Sequence, residues 1–403
     1  MRAIEPTLAR HERVIEIARG TLEANWREGE RDSVGYAYTE PSPGRYPWQW
    51  YWDSCFAAMA WRHFDPERSR RELESLLAAA EPDGFIGHTI FWRRPVSWMR
   101  FPYYNVLARG DLMTRTIQPP LLAFAWRVTV GDPAEVPGIV AHHDWIEADR
   151  DLDGDGLLWV LQPDETGLDA SPQFDPVWGR RAGGLPRFPL LVRRNRRLGF
   201  DIRAVCAAGG PVVCEVMTNV IHGLSRLALG RPSITPALVD RLWDESTGLF
   251  RNDVRPPVAA RAPVTWSALS PLALPDLPDA IGRRLVEEHL LDRSRFWLPV
   301  PPPSVSADEP TFSRKDKFLG LRRYWRGPTW VNAAWLLWIG LVRLGYDADA
   351  REMADRILRA IESEGLREYY DPYTGIGMGA RDFAWSAIAL EFLDEALVSS
   401  VTA

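Results

Sequence analysis

The sequence predicts an all-α protein in which helical hairpins close into a double α-barrel. Apolar residues recur with helical spacing along most of the chain, sustained strand-like alternation is sparse, and Gly- and Pro-rich loops follow alternate helices. A helical hairpin cannot bury both of its faces alone, so hairpins must stack, and closing the stack into a ring covers the faces that would remain exposed. The loops at one end of such a ring are expected to carry the functional site.

Around eleven helices are predicted. Residues 7–25 place apolar side chains at helical spacing, and residues 52–63 are nearly all apolar, as expected for a helix that is buried around most of its circumference. Asp65 followed by Pro66 is typical of an N-cap and a first helical position, so the third helix is predicted over 66–80. The other predicted helices span 119–130, 133–149, 212–229, 236–245, 278–291, 328–344, 347–364 and 383–397.

Two short segments, 84–92 and 157–161, are expected to be extended pieces of loop hairpins. The composition has no break that would divide the chain, so residues 1–403 are predicted to form a single (barrel) domain. A lid or loop excursion is expected within 150–203, and its Pro- and Arg-rich part, 179–203, is the strongest candidate for it.

Composition and charge narrow the class of protein. The net charge of −6 gives no electrostatic reason to expect nucleic acid or an anionic membrane as a partner. Three cysteines, Cys55, Cys206 and Cys214, are an odd number without metal-type spacing, which favours a reducing compartment. The N-terminus lacks the apolar run of a signal peptide, and no stretch approaches the roughly 18 apolar residues of a membrane helix. We expect a cytoplasmic protein that uses no metal or cofactor, and the oligomeric state, a homo-oligomer included, stays open.

Three carboxylates lie in segments that are crowded with aromatic residues, Gly and Pro: Asp53, Asp169 and Glu368. The chain also contains 19 Trp, more than packing alone requires, which supports an aromatic pocket. Trp and Tyr present flat apolar faces with a polar tip, which suits the two-faced ring of a sugar. Two separated carboxyl groups are the minimum equipment for glycoside hydrolysis. The combination predicts an enzyme that processes carbohydrates.

Each of these acids also has a purely structural interpretation. Asp169 is displayed on an irregular loop because Gly167 and Pro172 exclude a helix, but an Asp in such surroundings often caps a turn through its own backbone. Glu368 follows a predicted helix and precedes a Gly-rich loop, where a solvated Glu is also common. Asp53 begins a buried helix and could serve only its N-terminus. Local chemistry leaves these alternatives open.

Arg326, in the segment Tyr324-Trp-Arg-Gly-Pro-Thr-Trp330, has three interpretations. It could hold a substrate hydroxyl or carboxylate, it could stabilise a catalytic carboxylate, or it could stack on Trp and bond helix-end carbonyls. A basic cluster at 180–197 is interpreted as a solvated or salt-bridged face, with recognition of an anionic substrate group as the less favoured alternative. Its members are Arg180, Arg181, Arg187, Arg193, Arg194, Arg196 and Arg197.

The acidic run 149–156 resembles a calcium loop when it is aligned from Asp151. The twelfth position is then Gln162, which cannot supply the bidentate carboxylate, so an Asp/Gly turn is favoured over bound calcium. The adjacent His142 and His143 point to different sides of a helix, which disfavours a shared metal. Nucleotide use is disfavoured because the chain has no Walker-type or Rossmann glycine pattern.

Seven segments together resemble glycoside hydrolase family 63, in particular its bacterial mannosylglycerate and glucosylglycerate hydrolases, with trehalases as more distant relatives. The segments occur in family order and begin near residue 46 and end near 390. They are Trp48-Gln-Trp-Tyr-Trp-Asp-Ser54, Gly84-Phe-Ile-Gly-His-Thr-Ile-Phe-Trp92, Gln118-Pro-Pro120, Glu165-Thr-Gly-Leu-Asp-Ala-Ser-Pro172, Tyr324-Trp-Arg-Gly-Pro-Thr-Trp330, Glu368-Tyr-Tyr-Asp-Pro-Tyr-Thr-Gly375 and Phe383-Ala-Trp-Ser-Ala387.

The resemblance implies an (α/α)6 barrel with an inverting mechanism, in which Asp169 is the general acid and Glu368 the general base. The two carboxyl groups are then expected to lie roughly 6.5–9.5 Å apart, so that a water molecule fits between base and sugar. The residues expected to bind the substrate are Tyr46, Trp50, Trp52, Asp53, His88, Gln118, Tyr324, Trp325, Arg326 and Trp385.

The expected substrate is a small α-glucoside or α-mannoside, with glycerate as the leading aglycone; trehalose and short α-glucans are the alternatives. Two departures from the family pattern leave the sugar open: the chain has Gln162-Pro-Asp-Glu where relatives often have a His-Pro-Trp-Glu-like run, and Ala170 replaces an Asn. A sugar isomerase or epimerase on the same barrel is a rival of another class, but those enzymes use paired His, and only His88 lies in a matching segment. A non-catalytic sugar-binding barrel is favoured less.

Overall fold

Helices dominate the computed structural model of the chain, which describes residues 4–93, 112–179, 187–318 and 321–393. The α-helices are α1 (Ile4–Asn25), α2 (Tyr51–Trp61), α3 (Pro66–Ala78), α4 (Leu122–Thr129), α5 (Pro137–Arg150), α6 (Asp175–Trp178), α7 (Arg187–Arg197), α8 (Ile202–Ala207), α9 (Val216–Ala228), α10 (Thr235–Leu242), α11 (Asp279–Arg284), α12 (Val331–Arg343) and α13 (Asp347–Glu364). A π-helical turn, Leu285–Leu290, extends α11, and two long 3₁₀ segments cover Trp266–Ala273 and Ala384–Leu393. Shorter 3₁₀ turns cover Pro133–Glu135, Pro163–Thr166 and Pro172–Phe174.

The strands are short and form two-stranded antiparallel pairs. They are β1 (Trp26–Arg31), β2 (Val34–Thr39), β3 (Gln49–Trp50), β4 (Thr89–Ile90), β5 (Val212–Cys214), β6 (Trp243–Asp244), β7 (Leu249–Phe250), β8 (Asp253–Arg255), β9 (Lys317–Phe318), β10 (Leu321–Arg322), β11 (Arg367–Tyr370) and β12 (Gly377–Arg381). The pairs are β1–β2, β3–β4, β5–β8, β6–β7, β9–β10 and β11–β12. Such isolated pairs cannot form a layer. Four of them are hairpins of consecutive strands, whereas β3–β4 and β5–β8 join loops that are separated by helices along the chain.

An inner ring of six helical segments closes on itself within the described part of the chain. Going round the ring, α2 contacts α4, α4 contacts α9, α9 contacts Trp266–Ala273, that segment contacts α12, α12 contacts Ala384–Leu393, and Ala384–Leu393 returns to α2. Every residue of α2 is buried, as is every residue of Trp266–Ala273, because each of these segments has neighbours on both sides and a partner behind it. The largely apolar character of residues 52–61 therefore reflects burial around the whole helix.

Outer helices alternate with the inner segments along the chain. α1, α3, α5, α10, α11 and α13 each precede an inner segment, and α13 packs on both α12 and Ala384–Leu393 while α1 packs on α13 and Ala384–Leu393. The outer helices are amphipathic; on α13, for example, Met353, Ile357 and Ile361 are buried, and the opposite face is charged. Alternation of inner and outer helices around a closed ring is the (α/α)6 barrel that the sequence predicted.

The structure confirms ten of the eleven predicted helices as α-helices, with shifted ends, and differs in two barrel segments. The sequence offers no helix over 266–273 because Pro271 lies inside it, and the segment is in fact 3₁₀. The predicted helix 383–397 is likewise 3₁₀ over Ala384–Leu393, and its last four residues lie outside the described residues. The start predicted at Asp65 is confirmed: the Asp65 carboxylate accepts hydrogen bonds from the backbone N–H groups of Glu67 and Arg68, both at 3.1 Å.

The β1–β2 hairpin was not predicted. Its turn residues, Asp32 and Ser33, both have positive φ (53° and 63°), as a type I′ turn requires. The first strand is mostly polar and half of it is exposed, so it carries no apolar alternation that would reveal it. The hairpin packs on α3, where Thr39 donates its backbone N–H and its hydroxyl to the buried carboxylate of Glu72.

The expected excursion at 150–203 contains the general-acid candidate, two helices, α6 and α7, and the start of α8; sequence patterns did not indicate these helices. Its arginine cluster lies on α7, where Val192 and Asn195 are buried and Arg193 and Arg197 are exposed. Arg180 and Arg181 lie outside the described residues. In the parts of the chain that the structure describes, no helix has the length and apolar character to cross a membrane.

Buried histidines, among them three on α5 and α9, make the free energy of unfolding depend on pH. Burial lowers the pKa of His142 to about 4 and of His222 to about 3, and it lowers the pKa of His143 well below its usual value. In the unfolded chain these side chains bind protons near pH 6.5, so the unfolded state holds more protons between about pH 4 and pH 6.5, and stability must fall as the pH falls through this window.

We expect stability to decrease by up to about 1.4 kcal/mol per pH unit for each such histidine. The buried carboxyl of Glu72, whose pKa burial raises to about 8, acts with the opposite sign, because its stabilising contribution is lost as the pH rises towards 8. Urea unfolding at pH 7 and pH 5.5 measures the slope, with His143→Leu as the variant in which one histidine's share disappears. An unchanged slope in that variant would contradict the assignment.

Candidate active site

Seven stretches of chain that lead into or lie beside the inner segments meet at one cavity. The cavity holds about 540 Å³ of empty space including its open mouth, which is the size of a small-molecule site. Its lining residues are Pro41, Tyr46, Trp50, Trp52, Asp53, His88, Gln118, Gly167, Asp169, Tyr324, Trp325, Trp330, Glu368, Phe383 and Trp385. Of the site residues that the sequence predicted, the cavity therefore gathers all except Arg326.

The barrel explains why residues so distant in sequence meet. In a ring of antiparallel hairpins the inner segments run in one direction, so the loops before them gather at one end. Trp50 precedes α2, Gln118 precedes α4, Tyr324 precedes α12 and Phe383 precedes the segment Ala384–Leu393. Asp169 lies on the long connection between α5 and α9. The carboxylates that the sequence singled out therefore lie at the same end of the barrel.

Asp169 sits on a loop between two 3₁₀ turns, Pro163–Thr166 and Pro172–Phe174, and is partly buried. The hydroxyl of Tyr324 donates a hydrogen bond to Asp169 Oδ2 at 2.6 Å. The loop is held locally, because Ser171 donates its backbone N–H to the Leu168 carbonyl at 2.8 Å. One oxygen of this carboxyl group is thereby oriented by a phenol.

Glu368, on β11, is surrounded by donors and a cation. Tyr46 donates its hydroxyl to Oε1 at 3.0 Å, Ala380 donates its backbone N–H to Oε2 at 2.8 Å, and Arg45 Nη2 lies 3.6 Å from Oε2. Hydrogen bonds and a positive charge both favour the ionised form of a carboxylate. Gly379 allows this approach, since its φ is +69° and an added Cβ would lie 2.6 Å from Glu368 Oε2. The two predicted catalytic acids thus have different surroundings.

Asp53 is the third carboxyl group of the cavity and is 7% exposed. Burial raises the pKa of Asp53 well above its usual value, and the nearby carboxylates of Glu368, Glu72 and Asp169 add to the rise. A carboxyl group with a raised pKa can donate as well as accept hydrogen bonds, which suits contact with hydroxyl groups. Asp53 lies in the first turn of α2, behind the extended residues Gln49 and Trp50.

The aromatic walls are packed against one another. Trp325 and Trp330 stack with ring centroids 3.9 Å apart and an interplanar angle of 4°, and the Trp330 indole N–H donates to the Tyr324 carbonyl at 2.9 Å. Trp52 and Trp385 meet edge to face at 5.2 Å. These contacts fix ring orientation at little entropic cost, so the cavity is formed before any ligand arrives.

Two polar wall residues link neighbouring elements. Gln118 Oε1 accepts the backbone N–H of Trp52 at 3.0 Å, which connects the loop before α4 to the start of α2. His88 packs its ring against Trp50, with centroids 5.1 Å apart, and burial lowers its pKa to about 3, so that His88 is neutral at neutral pH. Its Nδ1 lies 3.7 Å from Asp164 Oδ2, in the run where the chain departs from the family pattern.

Arg326 does not line the cavity. Its guanidinium makes a two-point ion pair with Asp175, with Nη1–Oδ2 and Nη2–Oδ1 distances of 2.9 and 2.6 Å. Among the three interpretations offered by the sequence, the structure places Arg326 with a carboxylate that is neither Asp169 nor Glu368. Sequence reasoning also missed Arg45, which directly precedes Tyr46 and carries no pattern of its own.

The acidic run 149–156 is neutralised by arginines. Asp153 and Asp155 both pair with Arg241, at 2.9 and 2.7 Å, and Asp151 accepts the backbone N–H groups of Asp153, Gly154 and Gly156. Among the described residues, no group of three or more His, Cys, Asp and Glu side chains is arranged to hold a metal ion. The run is therefore an Asp/Gly turn cross-linked to β8 and α10 in this structure.

Gly167 is where the loop that carries Asp169 touches the cavity wall. Its φ is +69°, and an added Cβ would lie 2.3 Å from Trp52 Cζ2. We expect Gly167→Ala to push Trp52 into the cavity and to lower kcat/KM by about 10²-fold, the loss that a displacement of roughly 1 Å can cause. Gly199→Ala is the matched control, since Gly199 has the same φ of +69° but nothing within 4 Å of the added Cβ. Equal activity in the two variants would contradict this account.

The sequence and the fold both match characterised glycosidases. The family model described as mannosylglycerate hydrolase MGH1-like glycoside hydrolase domain matches residues 46–210 and 230–386. A mannosylglycerate hydrolase of Rubrobacter radiotolerans is 30% identical over 97% of this chain and 98% of its own length. A glucosylglycerate hydrolase of Mycolicibacterium hassiacum is 25% identical over 87% of this chain and 93% of its own.

A solved structure has the same fold. The family 63 mannosylglycerate hydrolase of Thermus thermophilus, in its complex with Tris, superposes with a TM-score of 0.79 and is 28% identical, covering 94% of this chain and 99% of that one. The match extends over nearly the whole of both chains, so the barrel and its connections correspond together.

Proposed function

The chain belongs to the mannosylglycerate hydrolase MGH1-like glycoside hydrolases, and from this premise we propose that it is an inverting α-glycosidase of glycerate α-glycosides, mannosyl- or glucosylglycerate. The chain is a glycoside hydrolase, and the family resemblance drawn from its motifs is confirmed. The proposal goes beyond family membership in three respects: the inverting course of the reaction, the roles of individual residues and the identity of the sugar.

The observation that carries the proposal is the pair of carboxyl groups on one aromatic cavity. Asp169 accepts a hydrogen bond from the phenol of Tyr324, whereas Glu368 receives two hydrogen bonds and has the Arg45 guanidinium 3.6 Å away. A group that must donate a proton needs a neutral form, and a group that must accept one needs to be ionised. The two donors and the cation around Glu368 support it as general base, and the role of Asp169 as general acid rests on the family resemblance and on its place in the same cavity.

The reaction then follows from these roles. The sugar lies against Trp50 and Trp52, with Asp53 and His88 within the same pocket. Asp169 transfers its proton to the leaving glycosidic oxygen, while Glu368 removes a proton from the water that attacks the anomeric carbon from the opposite side of the ring. The carbon–oxygen bond to the aglycone breaks as the bond to water forms, and an α-glycoside yields a β-sugar.

The proposed identity of the sugar and of the aglycone is based on the relatives and on one local feature. The relatives include both a mannosylglycerate hydrolase and a glucosylglycerate hydrolase, and each aligns over most of this chain. Ala170 is 8% exposed and lines up with a family Asn, so this chain lacks one amide donor beside the general acid. We therefore propose the glycerate glycoside class and treat the choice of hexose as the first result to obtain.

A sugar isomerase on the same barrel lacks a specific observation in its favour. Such enzymes move protons with paired histidines, and among the described residues His88 is the one histidine that lines the cavity. Its pKa, lowered by burial to about 3, makes it a poor base near neutral pH but leaves a neutral ring that can bond a hydroxyl group.

Proton NMR tests the proposal directly. Purified protein is mixed with glucosylglycerate, mannosylglycerate, trehalose or maltose, and the anomeric signal of the released sugar is followed from the first turnover. We expect the β-anomer to appear first from one of the two glycerate glycosides. The α-anomer as first product would overturn the acid and base roles, and release from trehalose alone would overturn the substrate class.

We also propose that the enzyme works in the cytoplasm on a small-molecule glycoside, with no nucleic acid partner, and as a monomer or a homo-oligomer. The free cysteines support a reducing compartment, since Cys55 and Cys214 are buried and form no disulfide. The net charge of −6 supports the absence of a polyanionic partner.

A further inference from the structure

We infer that Arg326 positions the general acid: its ion pair with Asp175 clamps the loop that carries Asp169 onto the segment that carries Tyr324. This inference rests on the proposed role of Asp169. It assigns to Arg326 a function that acts through Asp169 and excludes a direct contact with the substrate carboxylate.

The loop and the segment are joined at two points. Tyr324 donates its hydroxyl to Asp169 Oδ2 at 2.6 Å, and two residues later Arg326 pairs with Asp175 at 2.6 and 2.9 Å. The paired side chains are only 12% and 13% exposed, so solvent screens their attraction weakly. A stretch that is tied at both ends, at 169 and at 175, has little freedom to move its carboxyl group.

The Arg326 segment is itself anchored to the barrel. Its backbone N–H donates to the Arg323 carbonyl at 3.0 Å, and its carbonyl accepts the backbone N–H of Ser313 at 2.7 Å. The preceding Trp325 stacks on Trp330 at the start of α12, an inner helix of the ring. The ion pair therefore holds the Asp169 loop in a fixed position relative to the inner ring of helices.

The same geometry argues against Arg326 as a substrate ligand. Both terminal nitrogens of its guanidinium already bond Asp175, in the bidentate arrangement that a carboxylate prefers. To bind Arg326, a glycerate carboxylate would have to displace the carboxylate of Asp175, which belongs to the same chain and so stays close to Arg326. Moreover, Arg326 is not among the residues that line the cavity.

The test is the activity of Arg326→Gln on three substrates that differ in their need for acid catalysis and in whether they carry a carboxylate. The glycerate glycoside needs acid catalysis and carries a carboxylate; the corresponding glycosylglycerol needs acid catalysis and carries none; the α-glycosyl fluoride needs little acid catalysis. We expect kcat to fall by about 10²-fold on the first two substrates and by less than about threefold on the fluoride, with KM changed little, because a displaced general acid affects only leaving groups that require a proton.

Two comparisons complete the experiment. Asp175→Asn should reproduce the pattern, and the double variant should lose no more than either single variant, since both remove the same clamp. Arg251→Gln is the control, because Arg251 forms a comparable but more exposed ion pair with Asp244, 2.8 Å long and outside the cavity; all three rates should be unchanged. Melting temperatures measured alongside separate loss of fold from loss of function.

Three outcomes would overturn the inference. A rise in KM confined to the glycerate glycoside would make Arg326 a substrate ligand, an equal loss on all three substrates would make the pair merely structural, and full activity of Arg326→Gln on all of them would make it dispensable. Failure of the proposed function gives a different result, namely retention of activity in Asp169→Asn itself.

Discussion

Asp169→Asn and Glu368→Gln are each expected to lower kcat on the natural glycoside by about 10³–10⁴-fold while the fold is retained, because each removes one of the two proton-transfer groups. Neither change alters side-chain volume appreciably, so circular dichroism and the melting temperature should stay close to those of the wild type. Glu74→Gln, an exposed change on α3, is the matched control and should leave kcat unaffected.

The two variants should separate on the α-glycosyl fluoride. Asp169→Asn should recover most of its activity there, since fluoride leaves without a full proton transfer, whereas Glu368→Gln should stay inactive, since water must still be deprotonated. The reverse pattern would exchange the two roles. Near-wild-type turnover of the natural glycoside by either variant would refute the site.

Arg150→Met is expected to destabilise the protein by about 3–5 kcal/mol, because it leaves the carboxylate of Glu165 buried without a cation. Arg150 and Glu165 are 1% and 0% exposed, and they form a two-point pair with N–O distances of 2.7 and 2.8 Å. Glu165 also accepts the backbone N–H groups of Leu161 and Ile117, at 2.8 and 3.2 Å. It thereby ties the loop that leads to Asp169 to the stretch before Gln118.

The double variant Arg150→Met/Glu165→Met is the informative partner. It removes both charges, so it should lose less stability than Arg150→Met alone even though it carries one more substitution. The midpoint of urea unfolding measures both. A loss below about 1 kcal/mol in Arg150→Met would show that the buried pair is not under the electrostatic constraint described here.

Most of the fold was predictable because the barrel is built from repeated local patterns. Eleven of its segments show apolar periodicity or a capping signal, such as Asp65 before α3, and these are properties of short windows of sequence. The segment Trp266–Ala273 was not predicted to be helical because Pro271 contradicts a helical pattern. Ring closure and burial impose the 3₁₀ conformation there. The β1–β2 hairpin was not predicted because its first strand is mostly polar and shows no apolar alternation.

The candidate site was predictable in its members but not in its connections. Aromatic and acidic segments pointed to the residues that now line one cavity, and the predicted roles of Asp169 and Glu368 await their test. Nothing local indicated that Arg326 would pair with Asp175, 151 positions away, or that Glu165 would be buried against Arg150. Charged residues are compatible with many partners, so their pairing is settled only when the chain is folded.

By itself, the sequence determined that this chain is an all-helical barrel of the family 63 type with carboxylates and aromatic residues on its loops, because periodicity, caps and motifs act over a few residues. Only the tertiary structure decided which donors surround Glu368: Tyr46, 322 positions distant, Arg45 and the backbone of Ala380. Closure of the ring brings these groups together, and the charge state that a carboxylate adopts depends on what lies within a few ångströms of it, whatever its distance along the chain.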